Sequence, residues 1–226
     1  MPQINATIRP IRAGDLDAVA GMCWENRETQ LRLLDKQEIL GFGAWDSAGT
    51  CVGSLHCYSV TLPEWDDTDF PGYGRARLED WPLGWPLLTA KAKDITFPGQ
   101  VWGQACFHVG ILPGTWQADP AYFNQGTGTA LLKASVTWAR DHKYAGIMAH
   151  GGPKIIPGYN VMMGCLPWTS YEKLGFETMA YEEDAERLPW WAETKGDTIK
   201  AQVDRALAEG RDLKDIVARL MVLRLA

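Results

Sequence analysis

The chain of 226 residues carries 28 acidic and 22 basic side chains, a formal net charge of −6 with both signs interspersed, and this argues against a nucleic-acid partner because neutralising phosphates takes a basic face. Hydrophobic residues make up 46% and charged residues 22%, an ordinary globular composition, and no apolar run approaches the roughly 18 residues that span a bilayer. The N-terminal MPQINATIRPIRAGD lacks the blocks of a signal peptide, so one cytoplasmic domain over 1–226 with no membrane partner is expected.

TIRPIRAGD reads as a strand that turns at Gly14-Asp15. Asp15 is then the expected N-cap of a helix over LDAVAGMCWENRETQLRLL, with Leu16, Val19, Ala20 and Cys23 on one face. ILGFGAWDSAGTCVGSLHCYSV reads as a hairpin turning at Asp46-Ser47-Ala48-Gly49. From about 61 to 100, Pro63, Pro71, Pro82, Pro86 and Pro98 forbid a long regular element and mark an aromatic-rich insertion. VWGQACFHVGIL (101–112) reads as a central strand, apolar on both faces apart from Gln104 and His108.

NQGTGTA (124–130) then opens a helix over Thr127 to His142, and YAGIMAHG follows as a buried strand. Strand, glycine-rich turn, helix and strand form a βαβ-type unit, which places its two strands side by side and parallel. A short helix WTSYEKLG ends at Gly175, a suitable C′ residue, before the strand FETMAYEE. A C-terminal helical extension over about 188–216 contains DTIKAQVDRALAEGRD, with Asp197 as cap, Ile199, Val203, Ala206 and Leu207 on one face, and Gly210 as stop. The last run, IVARLMVLRL, fits a strand or a helix.

Five cysteines, Cys23, Cys51, Cys57, Cys106 and Cys165, contain no C-x-x-C pair, and the four histidines show no ligand spacing with them. Buried thiols and no metal site are expected. The chemistry concentrates at Gln125 to Ala130. A helix N-terminus presents unpaired N–H groups and about half a positive charge, and glycines at 126 and 128 let an anion approach the backbone. No lysine follows Gly128 as a P-loop requires, and no third glycine completes a dinucleotide fingerprint.

Gln125-x-x-Gly128-x-Ala130 resembles the Q/R-x-x-G-x-G/A signature of the GNAT acyltransferase superfamily. TSYEKLGFE (169–177) is similar to the family's C-terminal helix and strand, and TIRPIRAGDLDAVAGM to its opening strand and helix. The resemblance implies an α/β (α+β) fold with a central mixed, mostly antiparallel β-sheet flanked by helices, closed by a C-terminal strand. It implies acetyl-CoA as cosubstrate, its pyrophosphate on Gln125, Gly126, Thr127, Gly128, Thr129 and Ala130, and its pantetheine arm along Val109, Gly110, Ile111 and Leu112. The link from Pro113 to Asn124 is longer than the family's usual one.

The activity so implied is N-acetyl transfer, by direct attack, to a primary amine of a small molecule or peptide. Tyr171 matches the family's general acid. The family's strand glutamate has no counterpart in WGQACFHV, which leaves His108 as the base, although a histidine in an apolar strand also reads as a hydrogen-bonded core residue. Glu64, Asp66, Asp67 and Asp69 offer an acidic attraction for a cationic amine, and Trp65, Phe70, Tyr73, Trp81 and Trp85 an aromatic wall for it. A catalytically weak acyl-CoA-binding module is the alternative that the missing carboxylate supports, and a hydrolase using Cys106 or Cys165 is a third reading that lacks a Cys–His signature. A homodimer is compatible with the surface that the tryptophans and the C-terminal helix offer.

Overall fold

A computed structural model describes residues 6–19, 27–61, 95–110, 119–156, 159–161, 164–181, 193–194 and 197–225. The first described strand, β1 (Thr7–Pro10), pairs with β2 (Gly41–Trp45) and stands at the edge of the sheet among the described residues. An edge strand tolerates Pro10, which has no N–H to give a ladder. Asp15 is not a helix N-cap: its carboxylate accepts the Arg12 N–H at 2.9 Å and the Arg9 guanidinium at 2.8 Å. That pull closes a 3-10 turn over Ala13–Ala18 in place of the first turn of an α-helix. Leu16 and Val19 are buried as their spacing predicts, residues 20–26 with Ala20 and Cys23 lie outside the described residues, and α1 is described over Arg27–Lys36.

The predicted hairpin forms from β2 and β3 (Cys51–Thr61), with the Asp46 carboxylate accepting the N–H groups of Ala48 and Thr50. β4 (Gln100–Val109) runs antiparallel to β3, with a bulge between the pairs His56↔Cys106 and Cys57↔Gln104. The insertion lies between these strands. Residues 62–94, with all its named aromatics and acidic residues, lie outside the described residues.

From β4 the chain passes through α2 (Thr127–Asp141) to β5 (Gly146–Gly152), and the two strands are parallel from Val101↔Gly146 to Gln104↔Ala149, as the strand–helix–strand pattern requires. β6 (Leu166–Pro167), α3 (Trp168–Glu172) and β7 (Glu177–Tyr181) follow, with Gly175 at φ +87° ending the helical turn. Two short strands, β8 (Glu193–Thr194) and β9 (Asp197–Thr198), lead into α4 (Ile199–Ala208) and α5 (Leu213–Ile216). The cap of α4 is Thr198, whose hydroxyl accepts the Ala201 N–H at 3.0 Å, while Asp197 is held in β9. Leu207, expected on the buried face with Ile199, Val203 and Ala206, is 47% exposed because it sits one step around the helix from Ala206.

The ambiguous last run is a strand, β10 (Arg219–Arg224), inserted between β5 and β7 and antiparallel to both. It is buried on both faces, so its apolar residues show no period. The main sheet has the order β1-β2-β3-β4-β5-β10-β7 with β6 paired to β5, a mixed and mostly antiparallel sheet. α2 and α3 pack on one face, where Leu131, Leu132, Val136 and Tyr171 meet Phe107, Ile147, Met221 and Leu223. α4 packs on the other, where Ile199 and Val203 meet Met148, Leu220 and Val222. No helix among the described residues is long and apolar enough to cross a membrane.

Ser135 pins α2 to β4. Its buried hydroxyl accepts the indole N–H of Trp102 at 2.9 Å and the Gln104 amide at 3.0 Å. Ser135→Ala strands two buried donors, and a loss of about 2–4 kcal/mol in urea unfolding is expected; an unchanged midpoint would contradict this seating.

On the opposite face His150 Nε2 lies 3.1 Å from the Tyr159 hydroxyl, and burial pushes the imidazole pKa down to about 3. The folded chain thus keeps His150 neutral where the unfolded chain protonates it. Stability from this group is complete above the ordinary value of 6.5 and is lost as pH falls from there toward about 3. Unfolding midpoints should therefore drop between about pH 7 and about pH 5, with a smaller drop in His150→Gln; equal slopes for the two chains would show that His150 is not the group responsible.

Candidate functional site

α2 opens without a side-chain cap and without an acidic residue in its first turn. Gly126 is its N-cap residue at φ +80°, preceded by Asn124 at φ +58°, and the Gln125 side chain donates to the Ala121 carbonyl. The first bond to the helix is Ala130 N–H to Gly126 O at 3.0 Å. The N–H groups of Thr127, Gly128 and Thr129 therefore have no acceptor within the helix, and no acidic side chain of its first turn offsets the positive end of its dipole. A β-carbon at Gly53 would lie 3.1 Å from the His108 carbonyl oxygen and 3.3 Å from the Thr127 methyl, and one at Gly128 would lie 2.7 Å from Leu166. Small residues thus bring the head of α2 against the ends of β3 and β4 and against β6.

Between β4 and β5 the hydrogen bonding stops after Gln104↔Ala149. β10 occupies the far side of β5 from Gly146 to Gly151, so β6, which pairs Leu166 and Pro167 with Gly151 and Gly152, lies in the gap left by β4. The Gly110 N–H donates to Val52 O at 2.9 Å on the β3 side. Alternation along the strand then turns the backbone groups of Phe107 and Val109 into the gap. The Phe107 N–H is met there by the Gly164 carbonyl at 2.6 Å. Gly110 also accepts from the Asp119 N–H at 2.7 Å, so both of its backbone groups are engaged within the chain. Of the four residues expected to pair with an extended ligand arm, Val109 alone among those described turns its backbone into the gap; Ile111 and Leu112 lie outside the described residues.

Tyr171 is buried at the α2 face of the gap, its ring 6.5 Å from that of Phe107 and edge-on. Burial, with the Cys165 thiol beside it, drives the phenol pKa well above 10, and the Leu166 amide offsets this only in part. The hydroxyl stays protonated and can donate.

Cys106 and His108 leave the opposite face of β4, across from His56 and Ser54 of β3 in the register His56↔Cys106 and Ser54↔His108. All four are buried. His108 Nε2 is 3.0 Å from Cys106 Sγ, its ring centroid is 5.4 Å from that of His56, and its Nδ1 has no partner among the described residues. Burial and the nearby His108 hold the His56 pKa well below 6.5, so His56 is neutral. His56 and Ser54 escaped the sequence reading because the long insertion between β3 and β4 hides their register.

Cys51, Cys57, Cys106 and Cys165 are buried thiols outside any disulfide, as expected, and Cys23 lies outside the described residues. The Cys165 thiol donates to Asn160 Oδ1 at 3.4 Å, and burial pushes its pKa up. Of the two cysteines considered as nucleophiles, Cys106 is the one with a histidine at its sulfur. Among the described residues no group of three or more His, Cys, Asp or Glu is placed to hold a metal ion.

No protein-family model matches the chain, and no curated protein matches its sequence. Solved structures do. Arylalkylamine N-acetyltransferase 2 from Aedes aegypti superposes with a TM-score of 0.57 at 12% identity, over 98% of this chain and 100% of that one. The C-terminal condensation domain of Ebony in complex with beta-alanyl-dopamine gives 0.54 at 12% identity over 99% and 100%. An agmatine N-acetyltransferase in its apo form gives 0.50 at 12% identity over 98% and 100%. At these identities the likeness is one of fold: this chain has the GNAT acyltransferase fold, a mixed, mostly antiparallel sheet flanked by helices.

Proposed function

We infer that the protein is an N-acyltransferase that takes an acetyl group from acetyl-CoA and delivers it to a primary amine. The observation that carries this reading is the position of the uncapped head of α2 at the open end of the β4–β5 gap, with a protonated tyrosine beside the gap on the α2 face of the sheet. The N–H groups of Thr127, Gly128 and Thr129, with the turn at Gln125 and Gly126 and the entry to the helix at Ala130, fit a diphosphate: positive end, no carboxylate, no β-carbon at two of the positions. From there an extended arm meets Val109 along β4.

Transfer to an amine requires a proton to leave a nitrogen of pKa near ~10.4 and one to reach a thiolate of pKa near ~8.5. Tyr171 supplies the second. His108 is the base on this reading, since the strand offers no carboxylate and its Nδ1 is buried without a partner among the described residues. Tyr171 and His108 lie on opposite faces of the sheet, with the gap between them, so carrier and amine approach from opposite sides. The arylalkylamine, beta-alanyl-dopamine and agmatine in the names of the similar structures make aryl and guanidino alkylamines the first acceptors to try. The aromatic residues of the insertion suit a planar acceptor.

A catalytically weak acyl-CoA-binding module is the second reading, favoured by the Gly164 carbonyl that holds the Phe107 N–H. Release of free thiol from acetyl-CoA, measured over a panel of aryl, guanidino and peptide amines, separates the two. Amine-dependent release is expected, with a loss of about 10²-fold in kcat on Tyr171→Phe and little change in carrier affinity. Binding with no release for any amine would leave the module reading; full activity in Tyr171→Phe would remove the tyrosine from the mechanism.

A further inference from the structure

Cys106 and His108 stand two residues apart beyond the β4 bulge, so both side chains leave one face, and Sγ lies 3.0 Å from Nε2. This is the separation of a nucleophile and its base. When the thiol donates to Nε2, the imidazole proton sits on Nδ1, the buried nitrogen without a partner among the described residues. Between the two residues in sequence, the Phe107 N–H points into the gap and already holds a carbonyl oxygen, that of Gly164, at 2.6 Å. A β-carbon on Gly164 would fall 2.4 Å from Cys106 Sγ, so the peptide that fills this amide also rests against the sulfur. A nucleophile, a base and an oxyanion donor with a carbonyl group seated on it thus occupy one stretch of strand. The other described thiols lack this company: Cys57 faces the Ser135 hydroxyl, Cys165 an amide oxygen, and Cys51 the Gly53 carbonyl.

We propose that the acyl group rests on Cys106 between carrier and amine, as a thioester to Sγ. The proposal builds on the acyltransferase reading above and divides its single attack into two. In the first step His108 Nε2 takes the Cys106 proton, Sγ bonds to the thioester carbonyl carbon, and the oxyanion takes the Phe107 N–H in place of Gly164. Collapse breaks the carbon–sulfur bond of the carrier, whose sulfur leaves with the electron pair and takes the proton that His108 received from Cys106, so the carrier ends as a thiol and His108 is neutral again. In the second step the amine nitrogen bonds to the same carbon, loses a proton to His108, and Sγ departs and recovers it. An amide and a free Cys106 result, with no oxidant or further reactant.

The test mixes the full chain with acetyl-CoA in the absence of amine, quenches in acid, and maps the peptides by mass spectrometry. An acetyl mass on the Cys106 peptide, a burst of about one equivalent of thiol, and parallel double-reciprocal lines in steady state are expected. Cys106→Ser, which keeps the shape of the side chain with a smaller heteroatom, should lose at least about 10²-fold in amine-dependent turnover while binding coenzyme A within about threefold of the parent. No acetyl on Cys106 together with intersecting lines, or turnover retained in Cys106→Ser, overturns the covalent step and leaves the acyltransferase reading standing. Failure of the parent chain to bind coenzyme A at all overturns both.

Discussion

Two parallel strands that stop exchanging hydrogen bonds halfway along their length govern the rest of this molecule. β4 and β5 pair from Val101↔Gly146 to Gln104↔Ala149, and there the bulge in β4 carries its outer end away. Buried backbone groups left unpaired are costly, so a gap of this kind needs something to fill it. In this chain the Gly164 carbonyl and the short strand at Leu166 and Pro167 enter it. A ligand with amide groups along an extended arm is the other natural occupant, and it would have to take the place of that segment in part.

The helix between the two strands is fixed to the same constraint. Ser135 ties α2 to Trp102 and Gln104, the last paired stretch of β4, so the head of α2 is delivered to the point where the gap opens. Gly128 lets Leu166 approach that head, and Gly53 lets Thr127 approach β3. Helix head and gap are therefore one construction. The chemistry divides across the sheet: a phenol kept protonated by burial on the α2 face, and a cluster of Cys106, His108, His56 and Ser54 on the other.

Much of this was legible in the residues because it depends on local rules. The hairpin at Asp46 to Gly49, the helix after Gly126 and the stop at Gly175 each follow from turn or cap chemistry. The parallel pair followed from the order of elements alone. Other features depend on partners distant in sequence. β10 carries no period because both its faces are buried, and its place between β5 and β7 cannot be read from IVARLMVLRL. Asp15 is a local exception: its carboxylate is taken by the Arg12 amide and the Arg9 guanidinium, three and six residues back, which puts it at the third position of a 3-10 turn and not at a helix cap. The pairing of His56 with Cys106 needs the register of strands separated by the insertion, and the entry of Gly164 into the gap has no signature at all.

The function inferred above requires the N–H groups at the head of α2 to seat a diphosphate. Calorimetric titration of coenzyme A into the parent chain and into Thr129→Asp tests this most directly, because the exposed first-turn position puts a carboxylate where the phosphates belong without touching the core. The account predicts binding to the parent, a loss of at least about tenfold in Thr129→Asp, and a small rise in the thermal midpoint of that variant from its better-compensated helix dipole. Absence of binding to the parent, or equal affinity in both chains, would contradict it.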